Sequence, residues 1–213
     1  MQRVPAYLRN LKLRCYDLSY VTNLSGSKIK TVLLTVFNIL SKKHDFARPD
    51  TLVVVDPVLG DNGALYGCFT DEFVTAMRAL CADAQLITPN HTEAALLAGC
   101  AMDAGEEELL SKLTVPNVII TSVRRGDQIG YAARLNGEYM ELFRPCLPQT
   151  LHGTGDVFVS ALCGELMSGR AMPDALSRAA DFCDRCVRKT AARGEDHWYG
   201  LAFEDVLKEE RNL

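Results

Sequence analysis

The segment HGTGDVFVSALCGELMSG, residues 152–169, places two glycines and a carboxylate directly before an apolar helical pattern. Gly153 and Gly155 allow a tight turn and a close approach to the backbone, and Asp156 follows at once. The N–H groups and the positive dipole at a helix start favour a bound phosphate. Such donors stabilise a phosphoryl group during transfer, and Asp156 can accept the proton of a hydroxyl nucleophile. The alternative is an ordinary glycine-rich turn followed by a first-turn acid.

Two more carboxylates, Asp56 and Asp61, lie in the segment DPVLGD, which follows a run of β-branched residues. Carboxylates in a loop at the end of a buried strand can hold Mg²⁺ directly or through water. The alternative is a loop rich in proline and glycine with solvated acids.

The segment TPNHTE places Thr88, Asn90 and Glu93 after the next short apolar run. In one interpretation Glu93 is an oxygen ligand for hydrated magnesium. In the other, Asn90 is the N-cap of a helix and Glu93 completes a capping box. The residue types alone leave both interpretations open.

Thr121 and Ser122 end a third apolar run, where their hydroxyls can reach phosphate oxygens or a monovalent cation. Polar groups thus follow successive predicted strands, and a doubly wound sheet binds its ligands at the carboxyl ends of its strands. Neither G-x-x-x-x-G-K-[ST] nor G-x-G-x-x-G after a strand is present, so any ATP site is not of the P-loop type.

Short apolar strands alternate with helical patterns along the chain, which predicts an α/β fold. The expected architecture is a doubly wound, mostly parallel sheet with flanking helices and one antiparallel hairpin that turns at Asn136-Gly137. The strands are predicted over 17–21, 51–56, 85–88 and 117–122, the hairpin over 128–143, and the helices over 27–43, after Thr70, over 91–99, 154–168 and 173–193, followed by a frayed tail.

The chain has 213 residues, of which 48% are hydrophobic, and a formal net charge of −4. These values predict one folded domain over residues 1–213. No basic stripe is present, so we expect no nucleic-acid partner. The sequence shows no secretory signal pattern and no apolar run long enough to span a membrane, and its eight cysteines are scattered through apolar segments. We therefore expect a cytoplasmic protein with reduced thiols and no membrane partner.

Cys183 and Cys186 form a C-x-x-C pair inside a helical pattern. A structural zinc site normally needs a second pair of ligands, and the sequence has no other close pair of cysteines. We therefore expect both thiols to pack on one face of a helix. The tripeptide Arg125-Gly126-Asp127 lies between two predicted strands and is expected to form a turn.

Four segments together resemble a known family. In order and spacing, across about residues 16–193, the chain is similar to the pyridoxal kinase branch of the ribokinase-like superfamily. Thr154 between its two glycines fits the vitamin kinases, because the sugar kinases of this superfamily usually have alanine there. Hydroxymethylpyrimidine kinases share TPN and HGTG but commonly continue with cysteine, so Asp156 favours the pyridoxal kinase branch. The four segments are VVVDPVLGDNGALYG, LITPNHTEAALLAG, VIITS and HGTGDVFVSALCGELMSG.

The resemblance implies transfer of the γ-phosphate of ATP to the 5′-hydroxyl of pyridoxal, pyridoxamine or pyridoxine by a homodimer. It implies that Asp156 is the base and that residues 153–155 form an anion hole. The hairpin and RPCLPQT resemble a flap over the nucleotide, and K⁺ is a candidate second cation. The implied Mg²⁺ residues are Asp61, Glu93 and Thr88, and the implied ATP contacts are Asp56, Asn90, Glu93, Thr121, Ser122 and Thr154.

The sequence also departs from the family pattern. Family members normally begin with at least one further βαβ unit, roughly 30 residues, so the N-terminal strands are expected to be missing and residues 1–15 to be part of a helix. Asn23 stands where the family has glycine. The chain is then a truncated product, a short form that binds nucleotide but transfers poorly, or a subunit completed by another chain. A non-catalytic nucleotide-binding form and a hydroxymethylpyrimidine kinase are the alternative functions.

Overall fold

A computed structural model of the chain describes the backbone of residues 14–17, and residues 52–147, 151–194 and 200–210. The predicted helix over 27–43, most of the predicted strand over 17–21, and Asn23 lie outside the described residues. The strands are β1 (Arg14–Asp17), β2 (Val53–Asp56), β3 (Gly60–Asp61), β4 (Ala64–Leu65), β5 (Leu86–Ile87), β6 (Asn117–Arg125), β7 (Gln128–Leu135) and β8 (Glu138–Pro145). The helices are α1 (Asp71–Ala82), α2 (His91–Ala98), α3 (Glu106–Lys112), α4 (Thr154–Met167), α5 (Met172–Ala192) and α6 (Phe203–Glu210).

The main sheet has six strands in the order β1-β2-β5-β6-β7-β8. β1 pairs with β2, β2 with β5, and β5 with β6, and all three pairings are parallel. Apolar side chains on both faces of these strands are buried, including Val54, Ile87 and Ile119. A parallel sheet covered on both faces requires such continuous apolar runs. The predicted α/β fold with a mostly parallel sheet and flanking helices is therefore confirmed.

The antiparallel part of the sheet extends beyond the predicted hairpin. Asn136 and Gly137 both have positive φ, 52° and 86°, as a type I′ turn between β7 and β8 requires. A second two-residue turn at Gly126 and Asp127 joins β6 to β7, and a connection this short allows only antiparallel pairing. The predicted hairpin is thus confirmed, and β6 adds a third strand to it.

The first described strand differs from the prediction. Residues Arg14–Asp17 form β1, paired in parallel with Val53–Asp56, whereas the sequence pattern predicted a helix through residue 15 and a strand from residue 17. The prediction was wrong at Arg14 and Cys15 because pairing with a distant strand determines their conformation, which local patterns do not encode.

The helix boundaries follow the local signals closely. α2 begins after Asn90 and ends at Gly99, whose φ of 67° is the left-handed conformation that favours glycine. α4 and α5 each lie within one residue of their predicted bounds. α1 begins after Thr70 as predicted, although the Thr70 side chain makes no capping hydrogen bond.

The chain divides into two compact units. The first unit holds the described residues up to Ile120 together with Ala132–Met140, and its core includes Leu59, Met77 and Leu86. The second unit holds Thr121–Tyr131 and the described residues from Glu141 onward, and its core is built from α4 and α5. In the part of the chain that the structure describes, no helix combines the length and apolar composition needed to cross a membrane.

Candidate functional site

The first unit contains a loop, residues 56–61, that we call the carboxylate loop. It ends in a small hairpin of β3 and β4, which turns at Asn62 and Gly63 with φ values of 52° and 78°. Gly60 has no room for a side chain, because a Cβ there would lie 2.2 Å from the carbonyl oxygen of Ala64. The sequence analysis predicted a loop here and missed this hairpin, although Asp-Asn-Gly is a strong turn signal.

The side chain of Glu93 holds the carboxylate loop through a hydrogen bond to its backbone. This side chain is only 6% exposed, and its Oε1 accepts a hydrogen bond from the Leu59 N–H at 3.1 Å. Its Oε2 accepts from the Asn90 N–H at 2.8 Å, while Asn90 Oδ1 accepts from the Glu93 N–H at 2.9 Å. This reciprocal pair is a capping box, so that interpretation of Asn90 and Glu93 is confirmed.

The amide of Asn90 also reaches the loop, since its Nδ2 donates to the Gly60 carbonyl at 2.9 Å. Thr92, which the sequence analysis did not single out, accepts a hydrogen bond from the Gly63 N–H at 2.9 Å. The start of α2 therefore holds the carboxylate loop and its hairpin in place through side-chain contacts on three residues. Thr92 could be recognised only from its contact with the hairpin turn, which the sequence analysis did not predict.

Acidic groups lie close together around this loop. Burial, together with the nearby Asp56, raises the pKa of Glu93 to about 8, against the lowering effect of the N–H groups of Asn90 and Leu59. Burial and the charges of Asp61 and Glu93 raise the pKa of Tyr66. Asp56 therefore disfavours the ionisation of Glu93, which a bound cation would relieve.

The remaining predicted ligands of the first unit also have partners within the chain. Thr88 is buried and donates its hydroxyl to Asp56 Oδ1 at 2.6 Å. Asp61 is exposed, and its two oxygens accept hydrogen bonds from the backbone and side-chain nitrogens of Asn62 at 2.8 and 3.1 Å. Thr88 thus orients Asp56, whereas Asp61 stays accessible to solvent.

The chemistry of this donor set fits a hard divalent cation. Carboxylate and hydroxyl oxygens are the ligands that Mg²⁺ prefers, and no sulfur or imidazole belongs to the set. Across the described ranges, no group of three or more His, Cys, Asp or Glu side chains lies close enough together to hold a metal ion. A cation at this loop would therefore complete its coordination with waters or phosphate oxygens, as Mg²⁺ commonly does.

The second unit contains the other candidate feature, residues 153–156 at the start of α4, which we call the glycine turn. Gly153 precedes the helix with a left-handed φ of 81°, and as a glycine it supplies no side-chain cap to α4. The first intrahelical hydrogen bond runs from the Val157 N–H to the Gly153 carbonyl at 3.1 Å. The N–H groups before it have no acceptor inside the helix, as at every helix start. The exposed side chain of Asp156 lies within this first turn.

Gly155 is not explained by the packing of the protein. A Cβ at this position would meet nothing within 4 Å, and its φ is not in the left-handed region. Glycine inside a helix costs roughly 0.5–1 kcal/mol relative to alanine. The backbone at Gly155 is therefore open to an approaching group, at a place where helix N–H groups favour an anion.

Thr121 and Ser122 do not end a strand. β6 continues through them to Arg125, because its pairing with β7 carries the strand into the hairpin. Ser122 is exposed and has a φ of 60°, an uncommon value for a residue other than glycine, which marks a local kink in the strand. The prediction that these hydroxyls follow a strand end is wrong, and their contact with ATP stays a prediction.

The chain resembles known proteins in sequence. The family model for phosphomethylpyrimidine kinase matches residues 19–200. A pyridoxal kinase from Rubrobacter xylanophilus is 33% identical over 176 residues, which cover 76% of this chain and 59% of that protein. The pyridoxal kinase of Arabidopsis thaliana is 30% identical over 206 residues, or 90% of this chain and 65% of that protein. The chain thus spans about three fifths of the length of these two relatives.

Solved structures match the fold. A Bacteroides thetaiotaomicron protein described as a phosphomethylpyrimidine kinase superposes with a TM-score of 0.78 at 35% identity, covering 93% of this chain and 68% of the other. An orthorhombic form of that protein was solved with pyridoxal. Pyridoxal kinase from Lactobacillus plantarum gives a TM-score of 0.75 at 32% identity, covering 92% of this chain and 69% of the other.

These matches define the class of protein as a ribokinase-like fold of the pyridoxal kinase type. Within that class, the chain belongs to the phosphomethylpyrimidine kinase family.

Proposed function

We propose that this chain transfers the γ-phosphoryl group of ATP to the 5′-hydroxyl of a B6 vitamer such as pyridoxal. The observation that carries the proposal is the open backbone at Gly155, beside a helix start whose N-cap residue is Gly153 and an exposed carboxylate at Asp156. The pyridoxal kinases among its relatives support the choice of substrate.

The glycine turn supplies the transfer chemistry in this proposal. The substrate hydroxyl oxygen bonds to the γ-phosphorus, the bond from that phosphorus to the β,γ-bridging oxygen breaks, and ADP leaves. The carboxylate of Asp156 takes the hydroxyl proton. The N–H groups of Gly153, Thr154 and Gly155 stabilise the negative charge that spreads over the transferred oxygens.

Asp61 and Glu93, with Thr88 orienting Asp56, are the residues proposed to hold Mg²⁺, directly or through water. When bound, Mg²⁺ neutralises charge on the nucleotide phosphates. The donor set supports this assignment because its oxygens suit Mg²⁺ and because Asp56 disfavours the ionisation of Glu93. The proposed nucleotide contacts are Asp56, Asn90, Glu93, Thr121, Ser122 and Thr154, with K⁺ as a candidate second cation.

A coupled assay with MgATP and pyridoxal tests the role of Asp156. We expect Asp156→Asn to lower turnover by at least about 10²-fold, the low end for loss of a general base, while calorimetry gives nearly unchanged MgATP affinity. Asp174→Asn is the matched control, because Asp174 is also an exposed first-turn acid, in the next helix, α5. Normal turnover by Asp156→Asn would show that Asp156 is not the base.

A second candidate substrate is hydroxymethylpyrimidine or its phosphate. The description of the matching family and of the Bacteroides protein favours it, whereas the structure of that same protein with pyridoxal favours a B6 vitamer. Comparing kcat/KM for pyridoxal and hydroxymethylpyrimidine decides between them. MgATP binding without turnover on either substrate would instead indicate a nucleotide-binding form that does not catalyse transfer.

A further inference from the structure

Two buried polar side chains of the second unit, Tyr131 and Cys183, have no role in the chemistry proposed above. Cys183 nevertheless contacts the backbone of the glycine turn. Tyr131 on β7 stacks on Phe158 of α4 with ring centroids 4.4 Å apart. Its hydroxyl is close enough to the Cys183 thiol on α5 for each of the two groups to shift the pKa of the other. The Cys183 thiol in turn donates to the backbone carbonyl of Thr154 at 3.5 Å. A polar chain therefore runs from β7 through α5 to the first residue of α4.

The direction of the hydrogen bond between Cys183 and Thr154 follows from the proton that the thiol keeps. Burial raises the pKa of Cys183 to about 12, so the thiol stays protonated and can donate to a carbonyl. Burial, followed by the interaction with Cys183, raises the pKa of Tyr131 well above its ordinary value. Such a thiol is a poor nucleophile and a poor metal ligand. Because it stays protonated, the Cys183 thiol can still donate a hydrogen bond.

The two glycines of the glycine turn contribute no side-chain packing, so contacts from the rest of the second unit must help to fix its conformation. Gly153 and Gly155 carry no side chains to pack, and Gly153, as the N-cap residue, supplies no side-chain cap to the helix. A Cβ at Gly155 would touch nothing within 4 Å. Thr154 lies between the two glycines, and its carbonyl is the atom through which Cys183 holds this turn.

We propose that Cys183, supported by Tyr131, is a positioning residue that holds the Thr154 carbonyl. This contact keeps the first turn of α4 helical, with its backbone N–H groups placed to bind phosphate. This inference rests on the proposed function, because that function assigns the phosphoryl group to the glycine turn. Neither residue touches the reacting atoms in this proposal. Their effect is to keep the turn ordered before the nucleotide arrives, which lowers the ordering cost of binding.

The test compares Cys183→Ala with Cys186→Ala. Cys186 lies one turn further along α5 and is buried as deeply, so its truncation removes the same group from the same helix. We expect Cys183→Ala to speed amide hydrogen exchange at Val157 and Phe158 by about fivefold to tenfold, as for loss of one hydrogen bond. We also expect a several-fold lower kcat with the KM for pyridoxal unchanged. Cys186→Ala is expected to leave both readouts near those of the parent protein.

Two further variants separate positioning from packing. Cys183→Ser keeps a donor in place and is expected to restore slow exchange and kcat, whereas Tyr131→Phe removes one hydroxyl and is expected to give an intermediate effect. Tyr131→Phe also keeps the proposal testable if Cys183→Ala does not fold. Equal exchange at residues 157 and 158 in both cysteine variants, or no rescue by serine, would overturn the inference.

Hydrogen exchange is measured without substrate, so the two proposals fail in different ways. If the parent protein shows no kinase activity while Cys183→Ala loosens the turn, the proposed function fails and the structural link stands. If the parent protein is an active kinase and Cys183→Ala changes neither exchange nor kcat, the link fails and the proposed function stands.

Discussion

The carboxylate loop and the glycine turn differ in how far the chain satisfies their polar groups. In the first unit, both oxygens of Glu93 accept backbone N–H groups, and Thr88 donates to Asp56. In the second unit, the N-cap residue of α4 is a glycine that supplies no side-chain cap, and a Cβ at Gly155 would meet nothing within 4 Å. The loop is thus held by side-chain contacts within the protein, whereas the turn presents a helix start of the kind that favours an anion. A glycine that packing does not require, at such a helix start, is therefore a candidate binding feature.

The glycines of the two regions differ in whether packing within the protein requires them. Gly60 is required by the protein itself, since a side chain would collide with the Ala64 carbonyl. At Gly155, by contrast, the described part of the protein leaves room for a side chain. Substitutions at the two regions should therefore divide into changes that affect stability and changes that affect activity.

The largest expected effect on stability is that of Glu93→Ala. This change leaves the buried N–H of Leu59 and the part-buried N–H of Asn90 without their acceptors and removes the capping box. We expect the free energy of unfolding to fall by about 2–5 kcal/mol, measured by urea denaturation. Glu107→Ala is the control, because Glu107 is an exposed first-turn acid of α3.

The dependence of this effect on pH sharpens the prediction. The folded-state pKa of Glu93, about 8, lies above its ordinary value of 4.5, so the folded chain binds a proton that the unfolded chain releases between these values. Stability from this group is therefore full below pH 4.5 and is lost as pH rises through 8, at up to roughly 1.4 kcal/mol per pH unit. Glu93→Ala should destabilise more at pH 5 than at pH 8. A small effect at both pH values would mean that Glu93 does not hold the loop.

An intermediate effect is expected from Gly60→Ala. The new Cβ would lie 2.2 Å from the Ala64 carbonyl oxygen, so β3 and β4 must separate or shift. Overpacking of this kind costs about 1–3 kcal/mol, which thermal denaturation can measure. At Gly67 a Cβ meets nothing within 4 Å, so Gly67→Ala should leave the melting temperature nearly unchanged. Equal melting temperatures for the two variants would show that packing does not require a glycine at position 60.

The sequence predicted those parts of the two regions that depend on neighbouring residues. The start of α4 at Thr154 was predicted, and the capping box of Asn90 and Glu93 was one of two interpretations, because their signals lie within four residues. The position of β1 and the length of β6 were not predicted, because both depend on pairing with other strands.

The contact of Cys183 with Thr154 joins residues 29 apart in the chain. The expectation that Cys183 packs on one face of a helix was right about its burial. The direction in which a buried thiol donates depends on what the folded chain places beside it, here Tyr131 on β7 and the first residue of α4. No local pattern of residues carries that information, so this part of the site required the structure.

The smallest effect on stability, and the most direct test of the comparison, is that of Gly155→Ala. A Cβ there meets no atom of the protein, and alanine is the better helix former, so the free energy of unfolding should rise by roughly 0.5–1 kcal/mol. The same methyl group would occupy the space proposed for the phosphoryl group, and we expect turnover with MgATP and pyridoxal to fall at least about tenfold. Gly164→Ala is the matched control, because Gly164 also lies in α4 with open space at its Cβ position. It should gain similar stability and keep full turnover. A Gly155→Ala variant that is both more stable and fully active would show that the open backbone does not receive the phosphoryl group.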